Sequence, residues 1–174
     1  GAVQDDHGKL IYTNEFMVGH LIEQSRRAGG WVRQPYFAVT VPEHYGLDPY
    51  FTLEGLVYRV NPDSLQGAID VAATDHNLYH RFRYDGLFNP DGSVDRTVFK
   101  DESAVTLSRN YAAAHLQLAY HYRQSRELDR AILEMEHVQR MFPDYADVLI
   151  PLGGFYMDQG DTAKALELFR ALAR

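Results

Sequence analysis

Cysteine is absent from all 174 residues, which excludes disulfides and cysteine-ligated zinc. It does not separate cytoplasm from periplasm, because exported domains also do without disulfides. Long hydrophobic runs are missing as well. The longest apolar stretches, residues 36–41 and 148–152, fall far short of the roughly 20 residues a helix needs to cross a bilayer. A basic stripe is also lacking: the net charge of −7 divides into about −4 over residues 1–100 and about −3 over 101–174. Such a balance argues against binding to a phosphate backbone. The chain opens on Gly1 without a basic segment leading into an apolar one, so a piece of a longer polypeptide is expected.

What is present is apolar material in quantity. Hydrophobic residues make up 45% and aromatics 13%, enough for a buried core. The C-terminal half repeats itself. A shift of 34 residues superposes Leu118-Ala119 on Leu152-Gly153, Tyr122 on Tyr156, Ala131 on Ala165 and Met135 on Phe169, with Pro143 closing the first unit. Small, aromatic, small, large, proline is the order of tetratricopeptide hairpins. Ala119 and Gly153 are expected where two helices cross, with Ala131 and Ala165 facing them so that the backbones can approach. Pro143 should end the second helix of its unit, since it lacks an N–H and biases Phe142 away from helical dihedrals. Gly160 should supply a left-handed residue and Asp161 a helix cap. Arg126 stands where the second unit has Gly160. Two units are fewer than the three or so that bury a continuous core, so another part of the chain should cover the first.

The first hundred residues read as helix and strand mixed. Residues 14–27 are helix-like, with Gly29-Gly30 as a stop. Residues 36–41 form a β-branched and aromatic run bracketed by Pro35 and Pro42, which predicts a buried strand, and residues 55–60 a second strand paired with it. Residues 45–52 leave room for a turn and a short helical segment. Residues 67–83 suggest another helix, 89–92 a turn, and a long helix should begin near Asp101. The expected fold is therefore α+β and mostly helical, a small N-terminal helix and two-strand part packed on C-terminal tetratricopeptide hairpins. The expected division is residues 1–90 and 91–174, with units at about 112–145 and 146–174, sharing one core.

Four stretches carry a resemblance. Trp31-Val-Arg-Gln-Pro-Tyr-Phe-Ala-Val-Thr, Leu53-Glu-Gly-Leu-Val-Tyr-Arg-Val, Arg81-Phe-Arg-Tyr-Asp-Gly-Leu and Asn110-Tyr, followed by the repeats, resemble the C-terminal soluble region of a bacterial family of multi-spanning membrane proteins. That family is related to the tetratricopeptide-bearing protein O-mannosyltransferases. The resemblance covers residues 10–174 and departs at Gln34, inserted before the proline where similar sequences read Arg-Pro-Ile-Tyr-Phe-Ala. It implies a membrane-bound transferase with a lipid-linked sugar donor in the intact protein, this region on the periplasmic side, and catalytic residues in a membrane domain outside this chain.

Candidate chemistry within the chain is sparse. His76 and His80, four apart on a predicted helix beside Asp75, have a spacing that can place two imidazoles on one metal. No glutamate follows His76, no third ligand is apparent, and the flanking Leu78, Tyr79, Phe82 and Tyr84 read as core. The interleaved aromatic and basic residues of 76–84 fit a packed helix better than a stacking platform for bases or sugars. No nucleophile elbow or glycine-rich phosphate loop occurs. The expectation is a domain without catalytic, cofactor or metal residues of its own. It would bind protein or peptide, or the membrane domain of its own polypeptide, through Leu116, Tyr120, Arg123, Gln124, Ile150, Met157 and Asp158. Those positions match the concave lining of tetratricopeptide first helices; self-coverage of that face is an equal alternative. A free-standing peptide-binding tetratricopeptide protein, periplasmic or cytoplasmic, and a small metal-dependent enzyme using His76 and His80 are the alternatives.

Overall fold

The computed structural model describes residues 2–4, 10–27, 30–64, 68–143 and 145–172. The fold is α+β and mostly helical. The chain divides into two compact units, Gly1–Leu53 with Val57–Ala68, and Glu54–Leu56 with Ile69–Arg174.

In the first unit, β1 (Ala2–Gln4) pairs antiparallel with β2 (Leu10–Tyr12), α1 spans Thr13–Ser25, and β3 (Arg26–Arg27) pairs with β4 (Gly30–Trp31). The helix expected over 14–27 thus ends two residues early, where Arg26 turns extended. The Gly29 half of the expected stop lies outside the described residues. A four-stranded sheet follows, built from β5 (Tyr36–Ala38), β6 (Phe51–Leu53), β7 (Val57–Val60) and β8 (Ala68–Ile69) in the order β5-β7-β6-β8. The expected pair is there: β5 and β7 run antiparallel with Phe37 opposite Tyr58. It is part of a larger sheet.

The proline-bracketed run 36–41 is shorter and more exposed as a strand than its sequence suggests. Val41 donates back to the Ala38 carbonyl, turning the chain after three strand residues, and Tyr36 is half exposed because β5 lies at the sheet edge. Among the strands whose burial is described, β6 is buried at all its positions. It follows a 3-10 turn at Asp48–Tyr50, and three residues are too few to show a period of two. Asn61 fixes this hairpin from within, donating to the Tyr50 carbonyl and to Thr52 Oγ1 at 2.8 Å. Gln34 has a role of its own, since its side-chain amide donates to the Val60 carbonyl at 2.6 Å and so closes the end of β7.

The second unit begins with α2 (Val71–His76), whose first turn is capped by the Asp70 carboxylate accepting from Ala73 N–H. The expected start of this helix at Gly67 lies outside the described residues. The helix continues as a π turn over Asn77–Arg81, closed by Phe82 N–H to the Asn77 carbonyl. The turn at 89–92 forms as expected, with Gly92 N–H on the Asn89 carbonyl. Asp101 caps α3 (Glu102–Gln124), and α4 (Leu128–Met141), α5 (Ala146–Gln159) and α6 (Thr162–Leu172) complete two helical hairpins.

The 34-residue register is visible in the hairpin turns. After α3, Arg126 N–H bonds the Arg123 carbonyl and Glu127 N–H the Tyr122 carbonyl; after α5, Gly160 N–H bonds the Met157 carbonyl and Asp161 N–H the Tyr156 carbonyl. Both turns close in the same left-handed way, with φ of 63° at Arg126 and 89° at Gly160. The repeated positions Leu118, Leu152, Ala119, Ala131 and Ala165 are fully buried. Gly153 is needed for close approach: a Cβ there would lie 2.5 Å from Phe169 Cε1. Pro143 acts as expected, α4 stopping at Met141 with Phe142 outside the helical region at φ −139° and ψ 78°. The first hairpin is covered by the π turn, with Leu78 buried in its core and Phe82 and Tyr84 packed edge-to-face on Tyr111.

A side chain in the left-handed region costs roughly 1 kcal/mol over glycine. Arg126 is exposed, so Arg126→Gly is expected to raise stability by about that amount, read as a higher urea midpoint at unchanged m-value. A lower midpoint would contradict the shared turn geometry.

Candidate functional site

The sequence-derived binding residues fall on α3 and α5, the first helices of the two hairpins. Tyr120, Ile150 and Met157 are exposed, Leu116 is half-buried against the core, and Gln124 is exposed. Arg123 and Asp158 bind each other, Arg123 Nη2 lying 2.6 Å from Asp158 Oδ2, and the guanidinium sits 4.8 Å from the Phe155 ring centroid. Tyr120 packs edge-to-face on the same ring at 5.8 Å. The two helices therefore present a joined face, apolar in Tyr120, Ile150 and Met157, on which the expected charges neutralise one another. With both partners about two-fifths exposed, that ion pair contributes at most about 1 kcal/mol.

His76 and His80 do approach, with ring centroids 5.6 Å apart. Among the described residues no group of three or more histidine, aspartate or glutamate side chains is arranged to hold a metal ion.

The polar cluster that sequence reasoning missed lies inside the first hairpin. His115 of α3 is 1% exposed and Glu134 of α4 is 5% exposed, with Nδ1 to Oε2 at 2.7 Å. Tyr79, from the π turn, donates its hydroxyl to the same carboxylate at 3.0 Å. His137, one turn on from Glu134, stacks obliquely on His115 at 4.6 Å and meets the Tyr79 ring edge-to-face at 5.8 Å. Three elements are thus tied to one carboxylate. The π turn matters here, because the extra residue in its hydrogen-bonded ring re-aims the side chains that follow, and such turns recur at functional sites.

No family model matches this chain, and no curated protein or solved structure matches it. Its chemistry therefore rests on the geometry.

The electrostatics of the cluster follow from its burial. Desolvation, and then the Glu134 charge, push the Tyr79 phenol above its ordinary range, so it stays a donor. Burial, followed by His115 and Arg140, holds the His137 imidazole down to about 4, against an opposing pull from Glu134. Arg140 Nη2 lies 3.3 Å from His137 Nδ1, and a guanidinium can only donate. The neutral ring must therefore accept at Nδ1 and carry its proton on Nε2.

A pH dependence follows with a definite sign. An unfolded histidine titrates near 6.5 and the folded His137 near 4, so between these values the unfolded state holds more protons. Stability should be full above pH 6.5 and fall as pH drops through that window. Urea midpoints at pH 4.5 and 7.5 are expected to differ more in the parent than in His137→Gln. Equal differences would remove His137 as a cause.

The first unit holds a separate cleft of about 730 Å³ beside α1, lined by Glu15, Glu43, His44 and Tyr45 among others. His44 Nδ1 lies 2.6 Å from Asp48 Oδ1, and this bond holds the Asp48 carboxyl below its usual range. Tyr45 has φ of 52° and its hydroxyl accepts from Asn14. His44 is edge-on to both Phe51 and Tyr58, which fits a ring packed as part of the sheet's aromatic layer.

Proposed function

We propose that this chain is a non-catalytic interaction domain of tetratricopeptide type, belonging to a membrane-embedded glycosyltransferase-like protein, and that α3 and α5 contact a protein acceptor or another segment of the same polypeptide. The observation that carries the reading is the face of Tyr120, Ile150 and Met157, exposed by 39%, 61% and 49%, on first helices whose charges already pair with each other. Apolar side chains left open on the inner helices of a repeat suit a peptide or helix laid across them. The matched turns at Arg126 and Gly160 support the tetratricopeptide assignment, and the four sequence stretches support the membrane transferase and its periplasmic setting. Among the described residues, no helix is long and apolar enough to cross a membrane, so membrane attachment would come from elsewhere in the polypeptide.

The test is sugar transfer by the complete polypeptide, with Tyr120, Ile150 and Met157 replaced together by serine. The reading predicts that KM for the acceptor rises at least tenfold while KM for the lipid-linked donor is unchanged. A rise in donor KM alone, unchanged acceptor kinetics, or turnover by the 174-residue chain by itself would overturn it.

A further inference from the structure

A cavity of about 300 Å³ opens beside the buried cluster, between the π turn, the 84–92 loop and α4. Three aromatic rings contribute to its wall: Tyr79, Tyr84 and Phe88. Two of them carry hydroxyls, and both hydroxyls are already committed, Tyr79 to the Glu134 carboxylate and Tyr84 to the Leu78 carbonyl at 2.7 Å. Neither phenol therefore has a free O–H to donate to a guest. Leu78 and Met141, both buried, add to the apolar lining.

Polar side chains in this lining are Asp85, Asn89 and His137, of which His137 belongs to the buried cluster. Its Nδ1 accepts from Arg140, which leaves Nε2–H as the donor. Gly92 holds the loop against the ring: a Cβ at that position would lie 3.1 Å from His137 Cε1, and Arg140 Nε donates to the Asp91 carbonyl at 3.0 Å, fixing the loop to α4. The ring is thus held in place before any guest arrives. Asp85 in the lining and the Arg140 guanidinium beside His137 carry opposite charges that offset each other, so neither sign of ion is favoured over an uncharged guest. The volume is at the lower end of the roughly 300–1,000 Å³ found for ligand pockets, enough for a single ring.

We propose that this cavity is a binding site for a small, uncharged ring compound bearing a hydrogen-bond-accepting oxygen, its ring against Tyr79, Tyr84 and Phe88 and its oxygen on His137 Nε2–H. This assigns the helical unit a small-molecule site separate from the α3 and α5 face. It does not depend on that face having a protein partner.

The experiment uses the 174-residue chain and two probes of similar size, cyclohexanone and methylcyclohexane, titrated while the His137 ring and the Met141 methyl are followed by NMR. Cyclohexanone is expected to give saturable shifts at both, with a Kd at least threefold below that of methylcyclohexane, the margin of one net hydrogen bond. His137→Phe should abolish that preference, and His137→Gln, whose amide N–H can donate, should restore most of it. If the variants fail to fold, the two probes on the parent still decide. Equal affinity for both, or shifts spread away from His137 and Met141, would overturn the proposal.

Discussion

Glu134→Ala is expected to destabilise the helical unit by about 3 kcal/mol, the largest single effect anticipated for this chain. The carboxylate accepts from a histidine that is 1% exposed and from the Tyr79 hydroxyl. Its removal strands His115 without a partner inside the hairpin and opens a void between α3 and α4. The cost should come from the stranded partner and not from any intrinsic worth of the pair, because a buried ion pair contributes little net stability over apolar residues of similar volume. The second hairpin supplies the comparison. Shifted by 34 residues, His115 becomes Leu149 and Glu134 becomes Leu168, and Leu168 packs on the apolar core. The triple replacement Tyr79→Phe, His115→Leu, Glu134→Leu should therefore return to within about 1 kcal/mol of the parent or exceed it. Urea unfolding of the single and triple variants measures both. A triple variant as unstable as Glu134→Ala would mean that the cluster does more than satisfy itself.

Ala131→Leu and Ala165→Leu should each cost about 1–3 kcal/mol by overpacking the helix crossings. Both alanines are fully buried, and Gly153 in the facing helix already lies so close to Phe169 that a single Cβ would collide with the ring. The two effects should be of similar size if the hairpins are repeats of one unit. Thermal unfolding of both variants at the parent temperature would break the 34-residue register.

The hairpins were legible in the sequence because their determinants are local: small residues at the crossing, a proline after α4, a glycine after α5 and an aspartate cap at Asp101 all act within a few residues of where they stand. The strand β6 was not legible, since Phe51–Leu53 is three residues long and owes its place to Asn61, ten residues on in sequence and reached only when the sheet folds. The polar cluster was overlooked for a related reason. His76 and His80 stand out in a sequence as neighbours on one helix, whereas His115, Glu134, His137 and Tyr79 come from three elements. A signal was nevertheless present. The same shift that aligns the alanines aligns His115 and Glu134 with leucines, and a polar pair at two apolar repeat positions marks a place where one unit departs from the other.

The proposed working face on α3 and α5 is tested most directly by placing a photo-crosslinking amino acid at Met157 or Ile150 in the complete polypeptide, with Leu133 on α4, itself 55% exposed, as the control. Crosslinks are expected from Met157 and Ile150 to one defined peptide, identified by mass spectrometry, and none to that peptide from Leu133. Crosslinks of equal yield and scattered identity from all three positions would contradict it.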